Sequence, residues 1–245
     1  HYVDSSLGTG QPNQTPCSSG SYNSNTGSTS PSACVNADAG YYVPASGLSI
    51  QTECPSGTFQ AVTGQTSCED ADAGYYVDSS LGTGQTSQTP CPAGKYNPSP
   101  GSTNVVDCID ADSGHYVDSS LGPGQTNQTP CSDGTYNANI GSTNPLDCIV
   151  ADTGHYVDPT LGTGQTAQTP CPAGSYQASI GQSSCDIADP GHYVDLSLGN
   201  AQTNQTPCPT GTYNPNNGST SVTDCESAEI GHYVDSTLGT GQLSQ

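Results

Sequence analysis

Two stretches decide the fold: Ala71-Asp72-Ala73-Gly74-Tyr75-Tyr76 and, further along, Cys91-Pro92-Ala93-Gly94-Lys95-Tyr96. Both read small residue, Gly, any residue, aromatic. Each then runs through a polar loop to a Gly-containing turn and a closing residue. Gly64-Gln65-Thr66-Ser67-Cys68 closes one kind of half-unit, and Gly84-Gln85-Thr86-Ser87-Gln88 closes the other. One kind begins and ends in Cys; the other begins in Ala and ends in Gln. Their lengths match. Cys131 to Cys148 spans 17 residues, as does Ala111 to Gln128; Cys54 to Cys68 spans 14, as does Ala37 to Gln51. The remaining Ala/Gln ends are Ala71/Gln88, Ala151/Gln168, Ala188/Gln205 and Ala228/Gln245.

Two halves make one unit. The block His1-Tyr2-Val3-Asp4 recurs at Tyr41, Tyr75, His115, His155, His192 and His232, at steps of 40, 34, 40, 40, 37 and 40 residues. Internal repetition of this kind marks a tandem array. The repeats are 1–40, 41–74 with shortened loops, 75–114, 115–154, 155–191, 192–231 and a partial seventh at 232–245. The steps differ by multiples of three, which points to loop shortening on a fixed frame.

The two kinds of half predict the disulfides. Twelve Cys, with no Cys-x-x-Cys among them, fit a disulfide framework rather than a zinc site. If the two Cys of one half bond to each other, both should be lost together, and every Ala/Gln half has lost both. The expected pairs are therefore Cys17–Cys34, Cys54–Cys68, Cys91–Cys108, Cys131–Cys148, Cys171–Cys185 and Cys208–Cys225. A rival scheme, pairing each second Cys with the first Cys of the next unit, strands Cys17 and Cys225. Each intra-half loop should contribute roughly 3 kcal/mol by restricting the unfolded chain.

Composition excludes an ordinary core. The chain has 245 residues, no Met, no Trp and one Phe. Leu, Ile, Val and Phe make up roughly an eighth of it, below the ~20% at which a highly charged chain is expected to be disordered without other support. Lys95 is the single basic residue and the formal net charge is −21. Nothing can neutralise phosphate, so nucleic acid and anionic membranes are excluded as partners. No apolar run approaches the ~18 residues of a membrane span, so no membrane insertion is expected here. Disulfides imply an oxidising compartment, hence an extracellular, secreted or cell-surface location. With no signal peptide and His at position 1, the chain reads as a processed product or a window of a longer protein.

Gly, Pro, Asn, Ser and Thr interrupt every potential helix. Short β-prone pieces such as Gly114-His115-Tyr116-Val117 and Gln125-Thr126-Asn127-Gln128-Thr129 flank a turn at Leu121-Gly122-Pro123-Gly124. The expected fold is disulfide-rich β: an elongated linear array of short irregular hairpin modules, with little helix and no single globular core. The Pro of Gln-Thr-Pro-Cys is expected to stiffen the joint between halves. An aromatic recurs at one position of all thirteen halves, from Tyr2 and Tyr22 to Tyr213 and Tyr233, with Phe59 in the fourth. Its ring is expected to pack on the local disulfide, or on the Ala/Gln that replaces it.

The bridged halves resemble ephrin-receptor-like cysteine-rich repeats, which are related in shape to tumour-necrosis-factor-receptor modules. The resemblance lies in Cys91-Pro92-Ala93-Gly94-Lys95-Tyr96 closing at Asp107-Cys108, and in Cys208-Pro209-Thr210-Gly211-Thr212-Tyr213 closing at Asp224-Cys225. The family follows Cys-x-x-Cys with Pro-x-Gly; here the second Cys is replaced, as by Ala111 after Cys108. The resemblance implies elongated, β-poor extracellular modules and says little of activity.

Four residue sets are candidates for chemistry. All five His (His1, His115, His155, His192 and His232) share one slot with Tyr41 and Tyr75. A slot open to either ring is a packing or hydrogen-bonding position, and no nucleophile–base pair remains, so no enzyme is expected. Asp70, Asp72, Asp110 and Asp112, with Asp78 and Asp118 nearby, resemble the start of a calcium loop but lack its closing Glu. A solvated acidic surface and a calcium site both stay open, and calcium is the one candidate cofactor. Sequons at Asn13, Asn127, Asn204 and Asn217 are N-glycan candidates, and the Ser/Thr-rich loops suit O-glycans. Leu7, Leu81, Leu121, Leu161, Leu198 and Leu238 either pin their own hairpins or form contacts between chains.

No unit breaks the pattern as a unique binding site would. The expected function is a structural repeat protein of an extracellular filament, fibre or surface appendage, self-associating and carrying covalent glycans. The alternative is an adhesive or receptor-like ectodomain stalk that binds protein or glycan, with calcium as its cofactor.

Overall fold

The computed structural model describes all 245 residues, His1 to Gln245. It contains no α-helix. Eleven two-stranded antiparallel sheets and ten single-turn 3-10 helices account for its regular structure. The chain resolves into two compact units, His1–Ala111 with Ser119–Gln128, and Asp112–Asp118 with Thr129–Gln245. The same construction recurs in both.

Each half is a hairpin of minimal length. In the bridged half that opens at Cys91, Lys95–Tyr96 pairs with Ile109–Asp110, Tyr96 opposite Ile109 and Lys95 opposite Asp110. In the unbridged half that opens at Ala71, Tyr75–Tyr76 pairs with Thr89–Pro90 in the corresponding register. The strands are shorter than the β-prone pieces in the sequence. The Pro expected to stiffen the joint is itself a strand residue, paired across from the His/Tyr slot at Pro90, Pro130, Pro170 and Pro207. Such a sheet has only edges, so a missing N–H costs no ladder partner.

All six disulfides join the two ends of one half, at sequence separations of 17 or 14, with Cα atoms 5.6–5.8 Å apart. This is ordinary cystine geometry.

The three-residue steps have a structural cause. Every 17-residue half carries one 3-10 turn, such as Ser79–Leu81 or Val105–Asp107. The halves at 37–51, 54–68 and 171–185 have none. Three residues make one turn of 3-10 helix, so the loop loses a whole turn and the hairpin register is untouched. The turns are capped locally. Asp78 accepts from the Ser80 amide, and Asn104 and Asp107 form a capping box, which supplies partners for the free amides of a helix start.

A two-residue hairpin is not stable alone, and its stability comes from stacking. Each half donates backbone hydrogen bonds to the next: Gln60 N to Gln85 O, Val77 N to Ser102 O, Asn97 N to Gln125 O and Val157 N to Gln182 O. Turn glycines bond back the other way, Gly101 N to Ala71 O and Gly181 N to Ala151 O, both at 2.7 Å. Within each compact unit, halves also meet the half of their own kind one repeat on. A Cβ at Gly114 would overlap the Gly164 carbonyl, and one at Gly191 the Gly241 carbonyl. The Gly of small-Gly-x-aromatic is therefore required twice, for its positive φ and for this backbone approach. Halves thus touch first and second neighbours, not first neighbours alone.

The interior of each compact unit is made of small side chains. The first Cys of each bridged half and Ala37, Ala71, Ala111, Ala151 and Ala188 are buried. So is the residue after the aromatic, which is Val in intact unbridged halves and Asn or Gln in bridged ones. The aromatic itself is mostly half-exposed. Phe59, the best buried with Tyr213, clusters with Ala71 and Val77 of the following half. There the ring also packs across the joint between halves.

The buried amide tracks loop length. Where the cystine loop is 17 residues it is Asn, and Asn97 Nδ2 donates to Ser102 Oγ at 2.6 Å. Where the loop is 14 it is Gln, and the longer Gln60 and Gln177 reach Ser67 O and Ser184 O. No buried side-chain N or O lacks a partner, as burial of an amide requires.

Candidate functional site

The four candidate sets fall into different environments. The His/Tyr slot lies at a unit joint. His115 Nδ1 is 3.3 Å from Ser113 O, His155 Nδ1 3.2 Å from Thr153 O, and His192 Nδ1 3.3 Å from Pro190 O. The rings of Tyr75 and His115 occupy the space that a Cβ at Gly124 and Gly164 would need. These rings therefore pack over the turn glycine of the next unbridged half. Tyr41, in the same slot, donates its hydroxyl to Glu53 at 3.2 Å. That bond, made to an anion, raises the Tyr41 pKa because losing the proton would set two negative charges together.

The acidic candidates are separated by their partners. Asp72 accepts from Gln88 Nε2 at 2.6 Å, and its backbone N–H donates to Gln88 Oε1 at 2.7 Å. Asp38 with Gln51, Asp152 with Gln168 and Asp189 with Gln205 do the same. Asp112 stands at the matching position after Ala111. Asp110 pairs with Lys95 at 2.7 Å, a half-exposed ion pair that contributes at most about 1 kcal/mol. Asp70 is an exposed strand residue opposite Thr58. No three His, Cys, Asp or Glu side chains converge as a metal site would require. Asp78, Asp158, Asp195 and Asp235 serve as caps. Hydrogen bonds from the Ser or Thr two residues on hold their carboxyls below the usual range.

All four sequon asparagines are exposed. They differ in the hydroxyl residue two positions on. Thr129 and Thr206 are exposed strand residues. Ser219 is buried and accepts from Asn214 Nδ2 at 2.7 Å.

The six leucines share one environment. They end the 3-10 turns of the unbridged halves and are 68–71% exposed. They do not pin their own hairpins; that alternative is corrected. The turn is held by its Asp cap, so the Leu is left pointing outward. The bridged halves carry matching apolar tips that sequence reasoning missed, Val106 and Leu146, still more exposed. The motif Asn-x-(Val/Leu)-Asp-Cys, at Asn104–Cys108 and Asn144–Cys148, was the available signal. In the repeat 75–114, Ser79 N donates to Thr103 O at 2.9 Å, which sets the two kinds of turn side by side.

No protein-family model matches the chain, and no curated protein matches it. The chain is a cysteine-rich repeat by its six cystines and repeated hairpins. No helix is long and apolar enough to cross a membrane.

Proposed function

We propose that this chain is a structural, non-catalytic repeat component of an extracellular filament, fibre or surface appendage. The observation that carries the reading is uniformity. Every complete half is built to one plan, and the departures from it are the loss of a single 3-10 turn or of a cystine. A protein that acts through one site concentrates its exceptional residues there; this chain distributes identical ones. Cystines that staple a chain too poor in apolar residues for a common core suit an oxidising, extracellular setting. Kinship with ephrin-receptor-like modules is supported by the Cys-Pro-x-Gly openings alone. The exposed sequons support a glycan coat, and the −21 charge supports solubility. Electron microscopy of native material tests the proposal: uniform fibres are expected. Monodisperse monomers would instead favour a receptor-like stalk, and calorimetry with calcium then tests whether that stalk binds the ion.

A further inference from the structure

We infer that the alternation of covalent and polar closures makes this chain an extensible, tension-bearing element. Under load the unbridged halves open while the cystine-closed loops stay shut, and the chain recoils when the load is removed. The inference rests on the filament reading and gives that filament a mechanical task.

Tension follows covalent bonds. In the half that opens at Cys171 it enters at that Cys, crosses the sulfur–sulfur bond and leaves at Cys185. The residues between are bypassed and carry none of it. The unbridged half from Ala151 to Gln168 has no such bypass. Its ends are held by the Asp152 N–H on Gln168 Oε1 and by Gln168 Nε2 on the Asp152 carboxylate, both at 2.7 Å and both exposed. The two-residue ladder of His155–Tyr156 with Thr169–Pro170 adds to them, as do the stacking bonds Val157 N to Gln182 O and Gly181 N to Ala151 O. Exposed hydrogen bonds exchange with water and hold weakly, so this closure yields while a cystine does not. Asp38 with Gln51, Asp72 with Gln88 and Asp189 with Gln205 close their halves in the same way.

Connectivity sets how far the chain yields. From Cys148 to Cys171 is 23 residues, which extend to at most about 80 Å. Four loops of 17 residues and two of 14, each bypassed by a span of 5.6–5.8 Å, withhold roughly 300 Å. The oxidised protein therefore reaches about 550 Å and the fully reduced one about 850 Å. Recoil follows from the same arrangement. Each opened segment lies between two loops that never lost their closure, so only that short segment must find its contacts again, and closing it costs little entropy. The bonds to be regained lie within a half or join it to neighbouring halves, a condition for fast refolding. A cystine in every half would leave little to extend, and a chain with none would keep nothing to recoil from.

Single-molecule stretching of the whole chain, tethered at its two ends, tests this. The oxidised wild type should lengthen to about 550 Å before its tethers break. It should shorten again in cycles of about a second, long against hairpin formation and short against proline isomerisation. Reducing agent should add about 300 Å and abolish the recoil, because a chain this poor in apolar residues does not refold unaided. A151C/Q168C, closed by a further cystine, should fall short of the wild type by roughly 55 Å. Q168A should keep the wild-type length and open one half at lower force. Tethers that break with the oxidised chain still folded, or extension that is not regained on release, overturn the inference and leave the filament reading intact. So does an A151C/Q168C chain as long as wild type once peptide mapping shows the added cystine formed. Absence of fibres from native material removes the filament reading, and is observed separately from the recoil of the single chain.

Discussion

Gln88 closes its hairpin through Asp72 as Cys108 closes the next one through Cys91. The Gln88 amide donates to the Asp72 carboxylate at 2.6 Å and accepts from its backbone N–H at 2.7 Å, a two-point clamp made without a covalent bond. The flanking strands keep the register of the bridged half. The array therefore alternates a covalent closure with a polar one.

The equivalence predicts an added cystine. A71C/Q88C should oxidise to a seventh disulfide without moving the hairpin, because the Cys pairs of the 17-residue halves hold their Cα atoms 5.6–5.7 Å apart. The stabilisation should approach ~3 kcal/mol for a loop of this length, less the lost clamp. Non-reducing peptide mapping and urea unfolding check it. Free thiols at both positions in folded protein would mean that the two kinds of half differ in geometry.

Two glycines should respond differently to alanine. Gly114 has φ +81 and its added Cβ would overlap the Gly164 carbonyl; Gly122 has φ +92 and open space around it. Gly122→Ala should cost about 1 kcal/mol, the left-handed conformation alone. Gly114→Ala should cost ~3 kcal/mol or more, because two stacked backbones must part. Thermal unfolding of the two variants distinguishes them, and equal losses would contradict the close approach.

Loop length and amide length should be coupled. Gln177→Asn shortens the side chain that reaches Ser184 O at 2.9 Å and leaves a buried amide short of a partner. Asn137→Gln overfills the site where Asn137 meets Ser142 Oγ at 2.8 Å. Each should cost roughly 2 kcal/mol, measured by denaturant midpoint. If Gln177→Asn is neutral, a different group satisfies that loop.

The Asp caps should fail in acid. Their folded pKa values lie below the ordinary aspartate value, so the unfolded chain binds protons first as pH falls. The support is fully present above the unfolded value and is lost as pH drops through the lower, folded one. Amide resonances of Ser80, Thr160 and Ser197 should report fraying in that window, while the cystine-closed hairpins persist. Tips that stay ordered through it would show that the caps are dispensable. D78N, which keeps an oxygen acceptor, should remove the pH dependence at Ser80.

The cystine pairing, the equivalence of the two kinds of half and the multiples of three were all legible in the linear order of residues. A hairpin is closed by groups no more than 17 residues apart, so its constraints leave a mark in local spacing. What lies against what could not be read that way. The approach of Gly114 to Gly164, the ring of His115 over that same glycine, the seat of Phe59 on Ala71 and Val77, and the outward aim of Leu161 arise when hairpins stack. Stacking joins residues a dozen to fifty positions apart through backbone shape rather than through matched side-chain types. A glycine needed for a turn and one needed for a close approach look alike until the second strand of chain is in place.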